Sequence, residues 1–341
     1  MLNRRSLLGG ATAVLGAVAA PQVLAQPKPV RIRVGYTAPP LAQMAPLFMT
    51  KPEILKHHDK SYTFEGTLLR SGPLQVTAFA ANEIQVGNLN FNTFYQAVVN
   101  AGMADMKVIG DECEDGRGRF DSQIRVRKDS GIDSITDLKG KVIATLGIGS
   151  GLDFHTRFIL RKHGLEYNRD YTYLETPFPT MKAMLLNKKA DAAYFAQPFA
   201  SEPDVLEQTK LLFAPGTELG PLMTNFICAR GSFIANNRAV LVDYMEDFLR
   251  VVRWYYDPAN RDESIKIVAE ASKVPEAVLR RYIFTQDGDY WRSMEAVPDL
   301  DALQRNLGFI KELGLSRQDI NVKDHADLSI AAEAAARLKS S

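Results

Sequence analysis

The sequence contains little cysteine and histidine and has almost no net charge. Its 341 residues include two cysteines, Cys113 and Cys228, and five histidines. Neither cysteine lies in a Cys-rich spacing pattern, so no metal site is predicted. The 41 basic and 40 acidic residues leave a net charge of +1. This balance argues against a nucleic-acid partner, which requires a basic surface. In an oxidising compartment the cysteines are free to form a disulfide, and two buried free thiols are the alternative.

The sequence also lacks the motifs of an ATPase and of common hydrolases. No Gly-x-x-x-x-Gly-Lys-Ser/Thr loop is present, and no Ser/His/Asp or metal constellation stands out. After the first 25 residues no second long apolar run follows, so we expect a soluble mature protein. We therefore predict a protein that is not an enzyme and needs no cofactor and no metal.

The amino terminus has the three-part layout of an export signal. Arg4 and Arg5 precede an Ala/Gly-rich apolar run over residues 7–20, and Val23 and Ala25 fit a peptidase site after Ala25. The adjacent arginines favour the twin-arginine route, and general secretion is the alternative. The run is shorter than the roughly 20 residues that cross a bilayer, so we do not expect an uncleaved anchor. We predict a signal peptide at residues 1–25 and a periplasmic location.

The mature chain alternates strand-like and helix-like segments, which indicates an α/β fold with mainly parallel sheets. A first series runs over residues 30–110, including a helical stretch at 41–55, and a second runs over residues 141–195. Two extended segments, near residues 122–127 and 224–229, cross between them. Apolar residues at helical spacing then predict a helical tail.

Several short segments carry a resemblance to a known family. They are residues 32–36, Gln75, Gly87, 126–132, Ser134, 137–141, 143–144, 149–150, Pro179, Met181, 191–192 and 197–199. Their order and spacing resemble the periplasmic solute-binding proteins of ABC importers for sulfonates, taurine, nitrate and thiamine precursors. The likeness runs over nearly the whole mature chain.

The resemblance implies a type II periplasmic binding fold, with two lobes, two hinge strands and a helical carboxyl-terminal segment. Residues 26–122 with 228–341 would form lobe 1, and residues 123–227 would form lobe 2. It also implies a monomer that binds a small organic anion by lobe closure and docks on an inner-membrane ABC permease with a separate ATPase.

Candidate ligand residues follow from the position of strand ends, because ligands of open α/β sheets bind beyond the carboxyl ends of the strands. Backbone N–H groups at a Gly-rich helix start favour an anionic group, and aromatic walls favour an aromatic acid. The predicted set is Tyr36, Arg70, Ser71, Gln75, Asn88, Asn90, Phe91, Arg125, Gly149, Ser150, Gly151, Phe154, Phe195, Gln197 and Asn225.

Each candidate also has an ordinary structural interpretation. Asn88 and Asn90 are typical of turns and helix caps, and the phenylalanines are typical of a core. Arg70 and Arg125 are the candidate partners of an anion, with surface salt bridges as the alternative. Asp153 lies in the first turn after Gly151, and its charge argues against a bare inorganic anion.

Two other functions stay open. A sensor that presents its ligand to a membrane kinase would use the same cleft. An enzyme on the same fold, in thiamine-pyrimidine or related metabolism, is the other. The thiamine-pyrimidine synthases carry a Cys-rich segment that two distant cysteines cannot supply.

Overall fold

The computed structural model describes residues 28–37, 43–69, 71–316 and 318–340. The predicted signal peptide and Arg70 lie outside these ranges. The strands are β1 Val30–Tyr36, β2 Tyr62–Leu68, β3 Val86–Leu89, β4 Met106–Asp115, β5 Gln123–Arg127, β6 Lys141–Thr145, β7 Tyr171–Glu175, β8 Ala192–Phe195, β9 Thr209–Phe213 and β10 Leu222–Arg230.

The described helices lie between the strands and after the last of them. They are α1 Gly72–Ala80, α2 Phe91–Tyr95, α3 Gly151–Lys162, α4 Phe178–Leu186, α5 Pro203–Gln208, α6 Pro215–Leu219, α7 Gly231–Tyr256, α8 Arg261–Ser272, α9 Glu276–Leu279, α10 Leu300–Glu312 and α11 Ser329–Ser340. Over the described ranges, no helix combines the length and the apolar character needed to cross a membrane.

The strands form two five-stranded sheets with the same internal pattern. The first has the order β2-β1-β3-β10-β4, and the second has the order β7-β6-β8-β5-β9. In each sheet three consecutive strands pair in parallel. The strand that arrives from the other half of the chain, β10 or β5, is inserted antiparallel. The predicted α/β fold with two crossings is confirmed.

The chain passes between the sheets twice, at residues 116–122 and 214–221. The first crossing agrees with the proposed lobe boundary at residue 122. The strand pairing assigns β10 to the first sheet from Leu222 onward, which is a few residues before the predicted boundary at 227. The division into lobes is kept here as a proposal, with β10 in lobe 1.

Three apolar clusters hold these layers together. One lies under the long helix α7 and the last helix α11, on one face of the first sheet. A second joins α2 and α10 on its other face and includes Phe154 and Phe158 of α3. The third surrounds the second sheet. Because α3 follows β6 of the second sheet, the second cluster spans both sheets.

The predicted helix over residues 41–55 is wrong in its described part. The chain forms two short 3-10 helices instead, Ala45–Thr50 and Pro52–Ile54. Each has a proline in its first positions, and Pro52 has no N–H to continue an α-helix. Strand β9 and the short helices α5 and α6 were not predicted, because segments of five or six residues show no clear periodicity, whereas α8 and α9 lie within the predicted helical tail.

The two cysteines are buried free thiols, and the disulfide alternative is not supported. They lie in different strands: Cys228 pairs with Gly87 and Val108, whereas Cys113 pairs with Asn225. Burial raises the thiol pKa of both residues well above its ordinary value.

We expect neither thiol to react with a thiol-specific reagent in the native protein, because each is buried and protonated. Both should react after unfolding in guanidinium without reductant. The measurement is a colorimetric thiol titration before and after unfolding. A protein that needs a reductant to release its thiols would contradict the two-thiol arrangement.

Candidate functional site

A cavity of about 240 Å³ lies between the two sheets. The first sheet and its helices contribute Thr37, Asn90, Phe91, Met223, Thr224 and Asn225. The second contributes Leu146, Ser150, Gly151, Leu152, His155, Phe178, Ala196, Gln197 and Phe199. Asp115 and Ser122, at the ends of the first crossing, and Tyr290, from the segment before α10, complete the wall. The cavity is therefore lined by both halves of the chain.

The start of helix α3 forms one side of the cavity. Ser150 is the N-cap residue, and its hydroxyl accepts from the Asp153 N–H at 3.2 Å. The N–H groups of Gly151 and Leu152 belong to the first turn, where an α-helix offers no internal acceptor. Together with the helix dipole, they provide donors suited to an acidic group of a ligand.

Asp153 does not compete for that position. Its carboxylate accepts from the Gly149 N–H at 2.7 Å and is bridged by Arg157, whose Nε lies at 2.9 Å. Gly149 has a φ of +84°, a conformation that glycine adopts without strain. Asp153 therefore fixes the loop before α3, and its charge is paired inside the second lobe.

Helix α2 meets this loop from the first lobe. Asn90 caps α2 in a reciprocal arrangement with Thr93, and its side chain accepts from the Thr93 N–H at 2.9 Å. The next polar residue, Asn92, donates from Nδ2 to the carbonyl of Gly149 in the second lobe. One short helix thus supplies cavity residues and a direct hydrogen bond between the lobes.

Aromatic side chains form much of the wall. Phe91 stacks on His155 with centroids 4.9 Å apart and planes 25° apart. Phe178 stacks on Phe199 at 5.7 Å and 21°. The ring of Tyr290 meets Phe120 edge-on at 5.2 Å. Flat, apolar walls of this kind suit a ligand with an aromatic or other apolar body.

Three residues of the wall have a buried polar atom with no hydrogen-bond partner within the protein. These atoms are Asp115 Oδ1, His155 Nε2 and Gln197 Oε1. Burying such an atom unpaired costs about 1 to 3 kcal/mol each. A bound ligand or water that approaches them would remove this cost, which makes them candidate ligand contacts.

Burial shifts the pKa of both titratable groups among these residues. It lowers the pKa of His155 to about 3, which leaves the imidazole neutral. Burial, together with the neighbouring carboxylate of Asp121, raises the pKa of Asp115 to about 8. Asp115 Oδ2 accepts from the Ser122 hydroxyl at 2.8 Å. At neutral pH the empty cavity therefore carries no charge on either group.

Asp115 ends a strand with an unusual number of buried acids. Asp111, Glu112 and Glu114 of β4 are each at most 2% exposed. Glu112 accepts from Asn88 Nδ2 at 2.7 Å, and Asp111 accepts from the Ser293 N–H at 3.0 Å. Burial raises the pKa of all three. In the ranges described, no group of three His, Cys, Asp or Glu side chains is arranged to hold a metal ion.

One side of the cleft is closed by apolar contacts between α3 and the first lobe. Phe154 meets Phe91 at 5.9 Å, and Phe158 packs on Phe309 of α10 with centroids 4.3 Å apart. Arg161 extends this contact by donating to the carbonyl of Glu312 at 3.0 Å. The structure therefore has the two lobes in contact, with the cavity enclosed between them.

Some of the predicted ligand residues come together in the cavity wall. They are Asn90, Phe91, Ser150, Gly151, Gln197 and Asn225. Asn225 accepts from Gln43 Nε2 at 3.2 Å and donates to the Cys113 sulfur at 3.7 Å, so its orientation is fixed.

The other described candidates lie outside the wall. Tyr36 packs against the core under α7, and Ser71 caps α1. Gln75 donates to the Asn88 carbonyl at 2.8 Å. Phe195 is buried in the core of the second sheet. Phe154 and Gly149 act in the contact between the lobes, Asn88 binds Glu112, and Arg70 is outside the described residues.

Arg125 does not reach the cavity either. Its Nε donates to Thr209 Oγ1 at 2.7 Å, and one terminal nitrogen donates to Gln123 Oε1 at 2.6 Å. The guanidinium therefore stabilises the pairing of β5 with β9. Among the described residues that line the cavity there is no lysine and no arginine.

Sequence reasoning missed Asp115, His155 and Tyr290. His155 lies one helical turn after Gly151, so the prediction of a ligand at the start of α3 was sufficient to suggest it. Nothing local in the sequence shows that residues 288–291 pack between the lobes, where Gln197 Nε2 donates to the Gly288 carbonyl at 2.8 Å.

Comparison with known proteins supports the fold. The family model described as NMT1/THI5 like matches residues 119–259. No curated protein matches the chain. The periplasmic aliphatic sulphonate-binding protein SsuA of Escherichia coli is similar, with 19% identity, a TM-score of 0.70, and coverage of 87% of this chain and 92% of that one.

Two further structures show the range of proteins with this fold. The periplasmic nitrate-binding protein NrtA of Synechocystis PCC 6803 has 15% identity, a TM-score of 0.68, and coverage of 92% of this chain and 90% of that one. The desulfurization enzyme DSZB has 14% identity, a TM-score of 0.65, and coverage of 90% and 100%. The two-lobed α/β fold that the resemblance implied is confirmed by these structures.

We expect His155 to make the stability of the protein depend on acid pH. The unfolded imidazole titrates near about 6.5 and the native one near about 3, so only the unfolded chain gains a proton between these values. The free energy of unfolding should therefore fall with decreasing pH, by about 1.4 kcal/mol per unit from this residue.

The test compares urea unfolding of the wild type and His155→Phe from pH 7 down to about pH 4. Phenylalanine keeps the ring on Phe91 and removes the titration. The variant should become relatively more stable as the pH falls, because the other groups cancel in the difference. Parallel pH profiles would contradict a buried neutral histidine.

Proposed function

We propose that the chain is the extracytoplasmic solute-binding component of an ABC importer for a small organic anion. The observation that carries the proposal is the cavity lined by both lobes, with the first N–H groups of helix α3 on one side. Two lobes joined by two crossings can close on a solute and exclude water from it. The similarity of the whole fold to sulfonate- and nitrate-binding proteins agrees with this role.

The cavity favours an organic ligand over a bare inorganic ion. Stacked aromatic rings form two of its walls, and apolar surface of this kind offers nothing to a small hydrated ion. The acid group of the ligand, a sulfonate or a carboxylate, would lie against the first turn of α3 and accept from Gly151 and Leu152. Arg70 remains a predicted additional partner of that group.

In the proposed cycle, solute binds to one lobe of the open protein and closure brings the second lobe onto it. Solute shifts this equilibrium only as far as it prefers the closed form. The closed protein, acting as a monomer in the periplasm, docks on an inner-membrane permease whose separate ATPase drives release. The export signal predicted at residues 1–25 supports this location.

A catalytic role is the second candidate, since a desulfurization enzyme has the same fold. The cysteines offer no nucleophile to the cavity, because both are buried in the first sheet and neither lines the wall. Incubation with each bound solute, followed by product analysis, separates binding from turnover. A sensor would bind in the same way, and deletion would then abolish a transcriptional response instead of uptake.

We expect a sulfonate or a carboxylate with an apolar body to raise the melting temperature of the mature protein, because a ligand that binds only the folded state stabilises it. The measurement is a thermal-shift screen of sulfonates, aromatic and aliphatic carboxylates, nitrate and pyrimidines in a buffer without sulfonate. If only sugars or metal cations gave a shift, the proposal of an organic anion would fail.

Replacing Ser150 with alanine should weaken binding of that solute about tenfold, which corresponds to about 1.4 kcal/mol. The variant loses a polar wall group and the cap of α3. The matched control is Ser134→Ala, which removes another capping serine in the second lobe away from the cavity. Titration calorimetry measures both. Equal affinities in the two variants would remove the start of α3 from the site.

A further inference from the structure

The wall of the cavity holds one carboxyl group that the proposed acid-binding role does not use. Asp115 is 2% exposed. The Ser122 hydroxyl donates to its Oδ2 and the Thr224 hydroxyl lies close to the carboxyl, whereas its Oδ1 has no hydrogen bond of normal geometry within the protein. Among the described residues of the wall it is the only acid, and none of them is a lysine or an arginine. An ionised Asp115 would repel an anion, so a pocket for an anion alone would suit this carboxyl only in its protonated form.

The charged neighbour of Asp115 is another acid, so it offers no positive charge to pair with an ionised Asp115. Asp121 of the first crossing is its main charged neighbour, and it raises the pKa of Asp115. The other titratable groups that face it are Tyr194 of β8 and Tyr290, whose phenol pKa values Asp115 in turn raises, together with His155 in the same wall.

Two described arginines, one close to Asp115 and one close to Tyr290 in the sequence, have other partners. Arg117 bridges Glu114 and Asp299. Arg292 donates to Tyr256 Oη at 2.7 Å and lies 3.5 Å from Asp289. Neither arginine contributes to the wall of the cavity. None of the described residues that line the cavity therefore supplies a cation to pair with Asp115, and a cationic group of the ligand could take that place.

The aromatic part of the wall supports the same conclusion. The face-to-face pair of Phe178 and Phe199 and the ring of Tyr290 line the cavity that Asp115 also lines. Aromatic faces attract ammonium and other organic cations through the negative potential above the ring. A buried acid combined with aromatic walls thus favours a cationic group of modest size.

We propose that Asp115, with Tyr290, Phe178 and Phe199, forms a subsite for a protonated nitrogen of the ligand, an ammonium group or a protonated ring nitrogen. This rests on the proposed function and narrows its ligand to an organic acid that also carries a basic nitrogen. The acid group lies at the start of α3, and the nitrogen lies at Asp115. On binding, Asp115 releases its proton to solvent and becomes the partner of the cation.

The release of a proton gives the subsite a specific signature. Because the empty protein keeps the Asp115 proton up to about pH 8, a cation must displace it below that value. The dissociation constant for an amine should therefore fall about tenfold per pH unit between about pH 6 and pH 8. A ligand without the nitrogen displaces no proton from Asp115 and lacks this slope.

The experiment titrates the mature protein with matched pairs that differ by the amine. The pairs are taurine with ethanesulfonate, para-(aminomethyl)benzoate with para-toluate, and benzylamine with benzyl alcohol. In at least one pair we expect the amine to bind tenfold or more tightly than its partner, with the pH slope and with about one proton released by calorimetry in two buffers.

Asp115→Asn should remove both the preference for the amine and the pH slope, since an amide keeps the size of the side chain but not its charge. Asp133→Asn is the control, because it makes the same substitution at an exposed aspartate on the outer surface, away from the cavity. The wild-type pairs and their pH dependence test the subsite even if Asp115→Asn fails to fold.

The outcomes separate the subsite from the proposed function. If the partners without nitrogen bind as tightly as the amines and no slope is seen, the subsite is overturned and the binding role stands. If no amine binds but organic acids from the thermal-shift screen do, the subsite is likewise overturned and the binding role stands. If neither set of compounds binds, both proposals are overturned.

Discussion

The burial of polar groups that the protein leaves unpaired is the constraint on which the account of the cavity depends. Asp115 Oδ1 comes from the end of β4, His155 Nε2 and Gln197 Oε1 come from the second lobe, and all three are buried in the same wall. Groups of this kind destabilise a closed empty cavity, whereas a matching solute removes their cost. A matching solute therefore stabilises the closed form more than the open form, because it pairs with polar groups that closure buries.

Apolar packing acts in the opposite direction, because it favours contact between the lobes whether or not a ligand is bound. Phe158 of α3 rests on Phe309 of α10, and Phe154 meets Phe91 of α2. The hydrogen bond from Asn92 to the Gly149 carbonyl adds a directional contact at the same edge. The lobe contacts favour the closed form and the buried unpaired groups oppose it. Ligand binding shifts this equilibrium toward the closed form.

The parts of the fold that the sequence predicts well are those with a local physical signature. Strand β1 alternates apolar and charged residues, and helix α3 starts with a glycine-flanked serine that is able to cap it. The same local rule predicted Ser150 and Gly151 as cavity residues. The helix expected at 41–55 failed because two prolines outweigh the apolar spacing in that segment.

The remaining site residues depend on contacts between distant parts of the chain. Arg125 lies in a crossing strand as predicted, but the strand alternation does not reveal which face meets the cavity, and its guanidinium is bound by Thr209. Tyr290 is brought to the wall by a segment nearly a hundred residues after Gln197, whose N–H it accepts at 3.3 Å. No sequence pattern within either segment predicts this contact.

The most direct test of the central claim is a crystal structure of the mature protein with a solute that it binds. The account predicts the solute between the two sheets, with its acid group against the N–H groups of Gly151 and Leu152 and with contacts to both lobes. A solute bound to one lobe alone, or outside the cavity bounded by α3, Asp115 and Tyr290, would contradict it.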